Sequence, residues 1–322
     1  MRIITFDDII DTFSRLIQRG GNFFFAKMTF NRNKRTKSAF DETAVNSSNW
    51  WMIPMVKERW NMMITGDKNQ HYEQYLIKEF WRNQTNLKLL SLGSGSCSHE
   101  LEFARHQQFD EIVCVDLAEN RLQEAEATAK AEGLNNMKYI CADIKDFDFI
   151  ENYYDIVLFN SSLHHFQKVD DLLRDKIKPC IKPKGYLIIN EFVGPSRLQF
   201  PKQQIEAINQ ALKLIDKANR QRFKTHLTKS KFRGSGLLRM IMADPSECID
   251  SASIMPAIHK HFKTVEEKAY GGNILMNVLK DISHHFIVPN KDQERILNKL
   301  FDFEDHYIKT HASDFIFGIY EK

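Results

Sequence analysis

Cysteine is scarce: five residues (Cys97, Cys114, Cys141, Cys180, Cys248) are scattered through 322, with no Cys-x-x-Cys pair. An odd, dispersed set in a chain of this length argues against a disulfide framework and fits a reducing compartment. Long apolar runs are missing too. None approaches the ~18 residues that a membrane span needs. The opening MRIITFDDII is broken by Asp7, Asp8 and Asp11, so it has no signal-peptide core. A cytoplasmic location is the expectation. Charge of one sign is also lacking. A net +3 gives no global field for nucleic acid, and no nucleic-acid-binding module is recognisable.

What is present is an ordinary globular composition, 43% hydrophobic and 27% charged. The length suits one large domain with insertions, or a core with a second small unit. Two basic runs stand out locally. One holds Arg32, Lys34, Arg35 and Lys37. The other runs from Lys217 to Arg239 through Arg220, Arg222, Lys224, Lys229, Lys231 and Arg233, with no acidic residue before Asp244. The plain reading is a solvated face; the sharper one is a surface meeting an anionic acceptor, carrier or membrane.

Ile3, Phe6, Ile9, Ile10, Phe13 and Ile17 recur at helical spacing, with Thr5 and Asp8 in capping-box positions. Gly20-Gly21, an aromatic patch at Phe23–Phe25 and the first basic run follow. Trp50, Trp51 and Trp60 are close in sequence, and Tyr72, Tyr75, Leu76 and Phe80 form a second helical pattern. Residues 1–85 therefore read as helical cover. From Leu87 the pattern alternates. Strands are predicted at Leu87–Leu92, Glu111–Asp116, Met137–Cys141, Tyr154–Asn160 and Gly185–Phe192. Helices are predicted between them at Glu100–His106, Arg121–Glu132 and Val169–Ile177. Short apolar runs separated by helices argue for a parallel sheet covered on both faces. The expected core is 86–195. A helical, charged insertion follows at 196–262, and closing strands at Phe262–Tyr270 and Asp314–Glu321 lie within 263–322 or at its edge.

Four segments carry chemistry. The run Leu87-Lys-Leu-Leu-Ser-Leu-Gly93-Ser94-Gly95 is a strand entering a tight Gly-x-Gly turn, and a helix follows. Glycine is needed where the chain turns sharply and the backbone approaches a ligand. Asp116, with Leu117 beyond it, ends the next strand 21 residues after Gly95, where a carboxylate can accept ribose hydroxyls. Ala142, Asp143 and Ile144 end the third strand, where a carboxylate can accept a hydrogen bond from an exocyclic amine and apolar neighbours can flank an adenine ring. Asn160 and Ser161 open the polar turn after the fourth strand, facing the same crevice, and His164 and His165 follow.

Together these segments resemble the class I S-adenosylmethionine-dependent methyltransferase family. The resemblance implies an α/β fold: a seven-stranded, mostly parallel, doubly wound sheet (Rossmann-like), with helical N-terminal cover and a helical insertion after strand 5. It implies S-adenosyl-L-methionine as cofactor, held by Gly93, Ser94, Gly95, Asp116, Leu117, Ala142, Asp143, Ile144, Asn160 and Ser161. Lys182-Pro-Lys-Gly185 is similar to that family's lead-in to strand five. The sequence departs from the family at Ser91, where an acid normally precedes the glycines, and at Cys97, the third small position. The methionine amino group then relies on carbonyls near Gly93, or on Glu100. Asn160-Ser-Ser-Leu163 lacks the proline-aromatic sandwich that holds a flipped base.

Methyl transfer needs in-line orientation and, for a hydroxyl acceptor, proton removal. His164, His165 and Glu191 are the candidate bases. For the histidines the bland reading is a helix cap and a packed side chain, and for Glu191 a surface carboxylate. The expected acceptor is a small or medium metabolite, a glycan or a carrier-linked intermediate, with oxygen slightly favoured. Trp50 and Trp51 either wall its pocket or belong to the core. No metal ligand is assigned: His259/His261 and His284/His285 lack a Cys or carboxylate at ligand spacing. Two alternatives stay open. One is a catalytically silent cofactor-binding scaffold. The other is a nicotinamide-dependent oxidoreductase, for which Ser98 stands where a third glycine is wanted.

Overall fold

The computed structural model describes residues 1–19 and 48–322. Gly20-Gly21, the Phe23–Phe25 patch and the Arg32–Lys37 basic run lie outside the described residues. The centre of the molecule is one seven-stranded sheet in the order β3-β2-β1-β4-β5-β7-β6. The strands are β1 (Leu87–Leu92), β2 (Phe109–Asp116), β3 (Met137–Cys141), β4 (Tyr154–Asn160), β5 (Ile181–Phe192), β6 (Lys263–Gly271) and β7 (Phe315–Glu321). Strand β7 is antiparallel to both neighbours, while β1 to β5 pair in parallel. This is the expected Rossmann-like α/β sheet.

The central strands are largely apolar because both faces are covered. Leu89, Ile112, Cys114, Ile156, Leu158 and Ile188 face one core, and Leu90, Val113, Val157, Phe159, Leu187 and Ile189 face the other. Buried alternate residues on both sides are what a doubly covered sheet requires. The strand order reverses direction between β1 and β4, which opens a crevice beyond their carboxyl ends.

The helices used below are α1 (Phe6–Arg19), α2 (Pro54–Thr65), α3 (Tyr72–Glu79), α4 (Ser98–Ala104), α5 (Glu119–Ala131), α6 (Lys202–Leu212), α7 (Leu237–Ala243), α8 (Ile254–His261), α9 (Leu275–Leu279) and α10 (Lys291–Ile308). A three-part helical run covers Val169–Leu172, Leu173–Ile177 and Lys178–Cys180, its middle wound as a π-helix. A third cluster joins Trp50, Ile53 and Val56 to α6, α9 and α10.

Helix α1 forms as predicted, with Thr5 and Asp8 bonded reciprocally: Thr5 N–H to the Asp8 carboxylate at 2.6 Å, Asp8 N–H to the Thr5 hydroxyl at 3.3 Å. Its buried face is the polar one. Asp7, Asp8, Asp11 and Ser14 are buried, while Ile3 (67% exposed), Phe6 (55%), Ile9 (60%) and Phe13 (52%) are open. The cause is the second basic run. Arg233 meets Asp7 at 3.3 Å, Arg239 meets Asp8 at 3.0 Å and Asp11 at 3.2 Å, and Arg222 meets Asp11 at 3.5 Å. Lys229 is buried and donates to the carbonyls of Asn277, Val278 and Lys280. Those four basic side chains therefore bind the protein's own N-terminal helix and α9, not a solvated face.

Candidate active site

The glycine turn is built by sterics. Gly93 sits at φ +71°, and a Cβ there would lie 2.6 Å from the Ser162 Cβ. The turn after β4 thus packs directly onto the turn after β1, and only glycine fits. The Gly93 and Ser94 N–H groups donate to the Val115 carbonyl at 2.8 and 3.3 Å, tying the bend to β2. The Ser162 hydroxyl donates to the Leu92 carbonyl at 2.6 Å, tying it to β4.

Asp116 ends β2 beside this bend. One carboxylate oxygen accepts the Gly95 N–H at 2.8 Å and the other the Ala118 N–H at 2.7 Å. Each oxygen keeps a second lone pair, so the group can still accept ribose hydroxyls. Register pairs Asp116 with Cys141, which places Ala142, Asp143 and Ile144 just beyond the same edge. Asp143 accepts the Lys145 N–H at 3.1 Å, and Ala142 and Ile144 pack onto the core. Leu117 is half-buried, as are Ser94 and Asn160, and Ser161 is exposed. The cofactor residues expected from sequence all lie at the carboxyl ends of β1 to β4.

Ser91 is compensated. Its hydroxyl donates to Glu100 at 2.5 Å, so α4 brings a carboxylate to the position where an acid normally precedes the glycines. Beside it, α3 contributes Tyr72 and Glu73, which sequence reasoning missed. Glu73 bonds His99, whose ring stacks on Tyr72 at 5.3 Å between centroids. Burial pushes the Glu100 carboxyl upward. Burial opposes the charged form of His99, but its bond to Glu73 outweighs that and raises it. Burial, then the charges of Glu73 and Glu100, push the Tyr72 phenol well up. One oxygen of Glu73 and one of Glu100 are buried with no partner. Two buried carboxylates with unsatisfied oxygens beside a glycine turn suit a ligand ammonium. These residues fit an S-adenosylmethionine methionyl end, and Asp116 and Asp143 could receive its nucleoside.

Across the sheet edge, Tyr270 donates to Asn190 at 2.7 Å, Asn190 to Asn160 at 2.8 Å, and Tyr72 to Asn160 at 3.3 Å. Trp50 is buried against Trp60 and Phe315, while Trp51 is half exposed. The core reading suits Trp50.

The imidazole pair follows β4. Glu191, wholly buried at the end of β5, accepts the Ser162 and Leu163 N–H groups at 2.5 and 2.6 Å and bonds His164 Nδ1 at 2.7 Å. Burial disfavours a charged His164, but the facing carboxylate wins and raises its pKa. Burial and the neighbouring His164 lower that of His165. His165 Nδ1 lies 3.1 Å from the Ser246 hydroxyl. Of the other pairs, His259 bonds Glu267, His261 bonds Asp170 at 2.8 Å, and His284 bonds the Ser48 hydroxyl at 3.2 Å.

With this geometry in place, comparison with known proteins identifies the class. The family model described as "Methyltransferase domain" matches residues 90–189, which run from β1 through β5. The segment from β1 through β5 is thus a methyltransferase domain of the class I kind, for which S-adenosyl-L-methionine is the cofactor. It is similar to the ubiquinone/menaquinone biosynthesis C-methyltransferase UbiE of Idiomarina loihiensis, 24% identical over 37% of this chain and 51% of that one. It is also similar to the uncharacterized protein YafE of Escherichia coli, 29% identical over 29% of this chain and 44% of that one. The matches thus span about half the length of these curated relatives. Phosphoethanolamine N-methyltransferase 2 of Haemonchus contortus, solved with S-adenosyl-L-methionine, aligns over 84% of this chain and 56% of its own at TM-score 0.48 and 16% identity. No described helix is long and apolar enough to cross a membrane.

Proposed function

We propose that this protein transfers the methyl group of S-adenosylmethionine to a small or medium acceptor, a metabolite, glycan or carrier-linked intermediate, with oxygen the favoured receiving atom. The observation that carries the reading is the pair of partnerless buried carboxylate oxygens, on Glu73 and Glu100, beside the Gly93 bend. It answers the departure at Ser91, one of the two, with Cys97, that keep the silent-scaffold alternative open. The sulfonium methyl arrives activated, so the protein's tasks are orientation and proton handling. Glu73, Glu100 and Gly93 would hold the methionyl end. Asp116 would take the ribose, and Ala142, Asp143 and Ile144 the adenine, with Asn160 and Ser161 closing the turn. The Tyr270-Asn190-Asn160-Tyr72 chain of hydrogen bonds keeps the floor between them rigid.

His164 and His165 are the groups that would take the acceptor's proton. Glu191 is a positioning residue in this reading. Fully enclosed and holding three donors, it fixes the His164 ring instead of meeting an acceptor. The segment 196–262 would supply the acceptor side, since Ser246 and Glu247 reach His165 from it. The five free thiols support a reducing compartment such as the cytoplasm.

The test is incubation with methyl-labelled cofactor and fractionated cell extract, followed by identification of the labelled product. An O-methyl product that disappears in His164→Ala and His165→Ala supports the reading. Label on carbon or nitrogen would replace oxygen as receiving atom, and full turnover in both variants would remove the imidazoles from the mechanism. Cofactor binding with no transfer in any fraction would leave the scaffold alternative standing.

A further inference from the structure

Among the described residues, one group of imidazoles and carboxylates brings its donor atoms close enough to share a cation. His164, His165 and Glu247 each offer one ligand atom, all within 4.8 Å of one another. The two histidines come from the turn after β4. Glu247 comes from the insertion, about eighty residues later in sequence. A backbone bond holds the two segments together: Ile249 N–H donates to the His164 carbonyl at 3.1 Å.

The surroundings are those of metal-ligating histidines. Such residues engage the second ring nitrogen with a carboxylate, carbonyl or hydroxyl, which fixes tautomer and ring orientation. His164 gives Nδ1 to the buried Glu191 at 2.7 Å, leaving Nε2 as the ligand atom. His165 has Nδ1 at 3.1 Å from the Ser246 hydroxyl, and that hydroxyl donates to Asp244 at 2.6 Å. His165 Nε2 lies 4.0 Å from the Glu247 carboxylate. An ion with bonds of about 2.0–2.2 Å would draw these atoms inward by a fraction of an ångström. Two imidazoles and one carboxylate suit zinc, iron(II) or a similar first-row ion better than magnesium or calcium, which prefer all-oxygen shells. Asp244, 3.7 Å from His165, adds negative charge nearby.

We infer that His164, His165 and Glu247 form a divalent transition-metal site at the carboxyl edge of β4, oriented by Glu191 and Ser246. The inference deepens the role proposed above for the imidazole pair and rests on that reading for its purpose. The pair would then act as ligands in place of bases: the cation would lower the pKa of a coordinated acceptor hydroxyl, whose proton would leave to water. Three protein ligands leave positions open for that oxygen.

The test is titration of the chelator-treated full chain with zinc(II), and anaerobically with iron(II). Bound metal is counted by mass spectrometry, and S-adenosylhomocysteine binding is measured in parallel. One ion per chain is expected, with affinity at least tenfold weaker in Glu247→Gln and His165→Ala and about 10–100-fold weaker in Glu191→Gln. His259→Ala serves as the control and should bind like the unaltered chain. Absence of stoichiometric ion on the unaltered chain overturns the inference whatever the variants do. So does unchanged affinity in both Glu247→Gln and His165→Ala. Nucleoside binding without the ion would sink this site and leave the methyltransferase reading intact; the ion without nucleoside binding would do the reverse.

Discussion

Helices α1 and α10 stand near opposite ends of the chain, and both are amphipathic and capped by reciprocal bonds, yet they bury opposite faces. In α10 the Asn290 side chain accepts the Asp292 and Gln293 N–H groups at 3.0 Å, and Gln293 accepts the Asn290 N–H at 2.9 Å. Its Ile296, Leu297 and Leu300 are buried against Trp50, α6 and α9. In α1 the carboxylates go inward, onto arginines. Asp11 is the centre of that contact. Burial alone would raise its pKa, but Lys280, Arg239 and Arg222 outweigh it and hold the group well below the usual carboxylate range. Apolar spacing reveals a helix; the surface it docks on decides which stripe is covered.

Truncation inside the apolar contact should cost most. Leu300→Ala is expected to lower global stability by about 2–5 kcal/mol, read from urea melts. Asp11→Asn comes next. It leaves Arg222, Arg239 and Lys280 facing a neutral partner. The loss should be about 2–3 kcal/mol, discounted because Lys280 is a third exposed, and it should fall on α1 docking. Hydrogen exchange of the α1 amides is the readout, and protection unchanged by the variant would refute electrostatic docking.

A buried carboxylate without such cations should behave in the opposite way. Asp314 accepts the Gln204 amide at 2.6 Å, and burial pushes its pKa up to about 7. The folded chain then keeps this proton to about pH 7, while the unfolded chain loses it near 3.8. The unfolded state binds fewer protons in that window, so stability should fall as pH rises from about 4 to 7 and level off above. Asp314→Asn should remove a slope of about 1.4 kcal/mol per pH unit inside the window. Melts at intervals of pH decide it: equal slopes in both proteins would contradict a buried, protonated Asp314. Smallest of all is Ile9→Ser. On the open stripe of α1 it should change stability by less than about 0.5 kcal/mol, and a core-sized loss would mean that stripe is covered.

The sheet was readable in the sequence because burial on both faces leaves a mark in each strand. The predicted β1, β3 and β4 match at both ends. β5 begins earlier, at Ile181, since Lys182 and Lys184 hide a strand start behind charge. Gly93, Gly95, Asp116 and Asp143 stand at one sheet edge as their spacing along neighbouring strands predicts, a placement that local pattern can carry. Tyr72 and Glu73 left no such mark. They reach the crevice from α3 by tertiary packing alone, and Tyr72 reads as one more apolar position of that helix. His164 and Glu191 were each named, but their bond follows from the β4–β5 register, Asn160 beside Asn190, which apolar runs do not specify. The pairing of α1 with the basic run was illegible for the same reason: more than 200 residues separate Asp11 from Arg222.

The central claim is that the crevice above Gly93 grips the cofactor with Glu100 and Glu73 at its methionyl end. Isothermal titration of the full chain with S-adenosylhomocysteine, beside Gly93→Ala and Glu100→Gln, tests it directly. The account predicts one nucleoside per chain, bound at least tenfold more weakly by either variant, a difference of about 1.4 kcal/mol or more. Heat of binding absent from the unaltered chain, or undiminished in both variants, would contradict it.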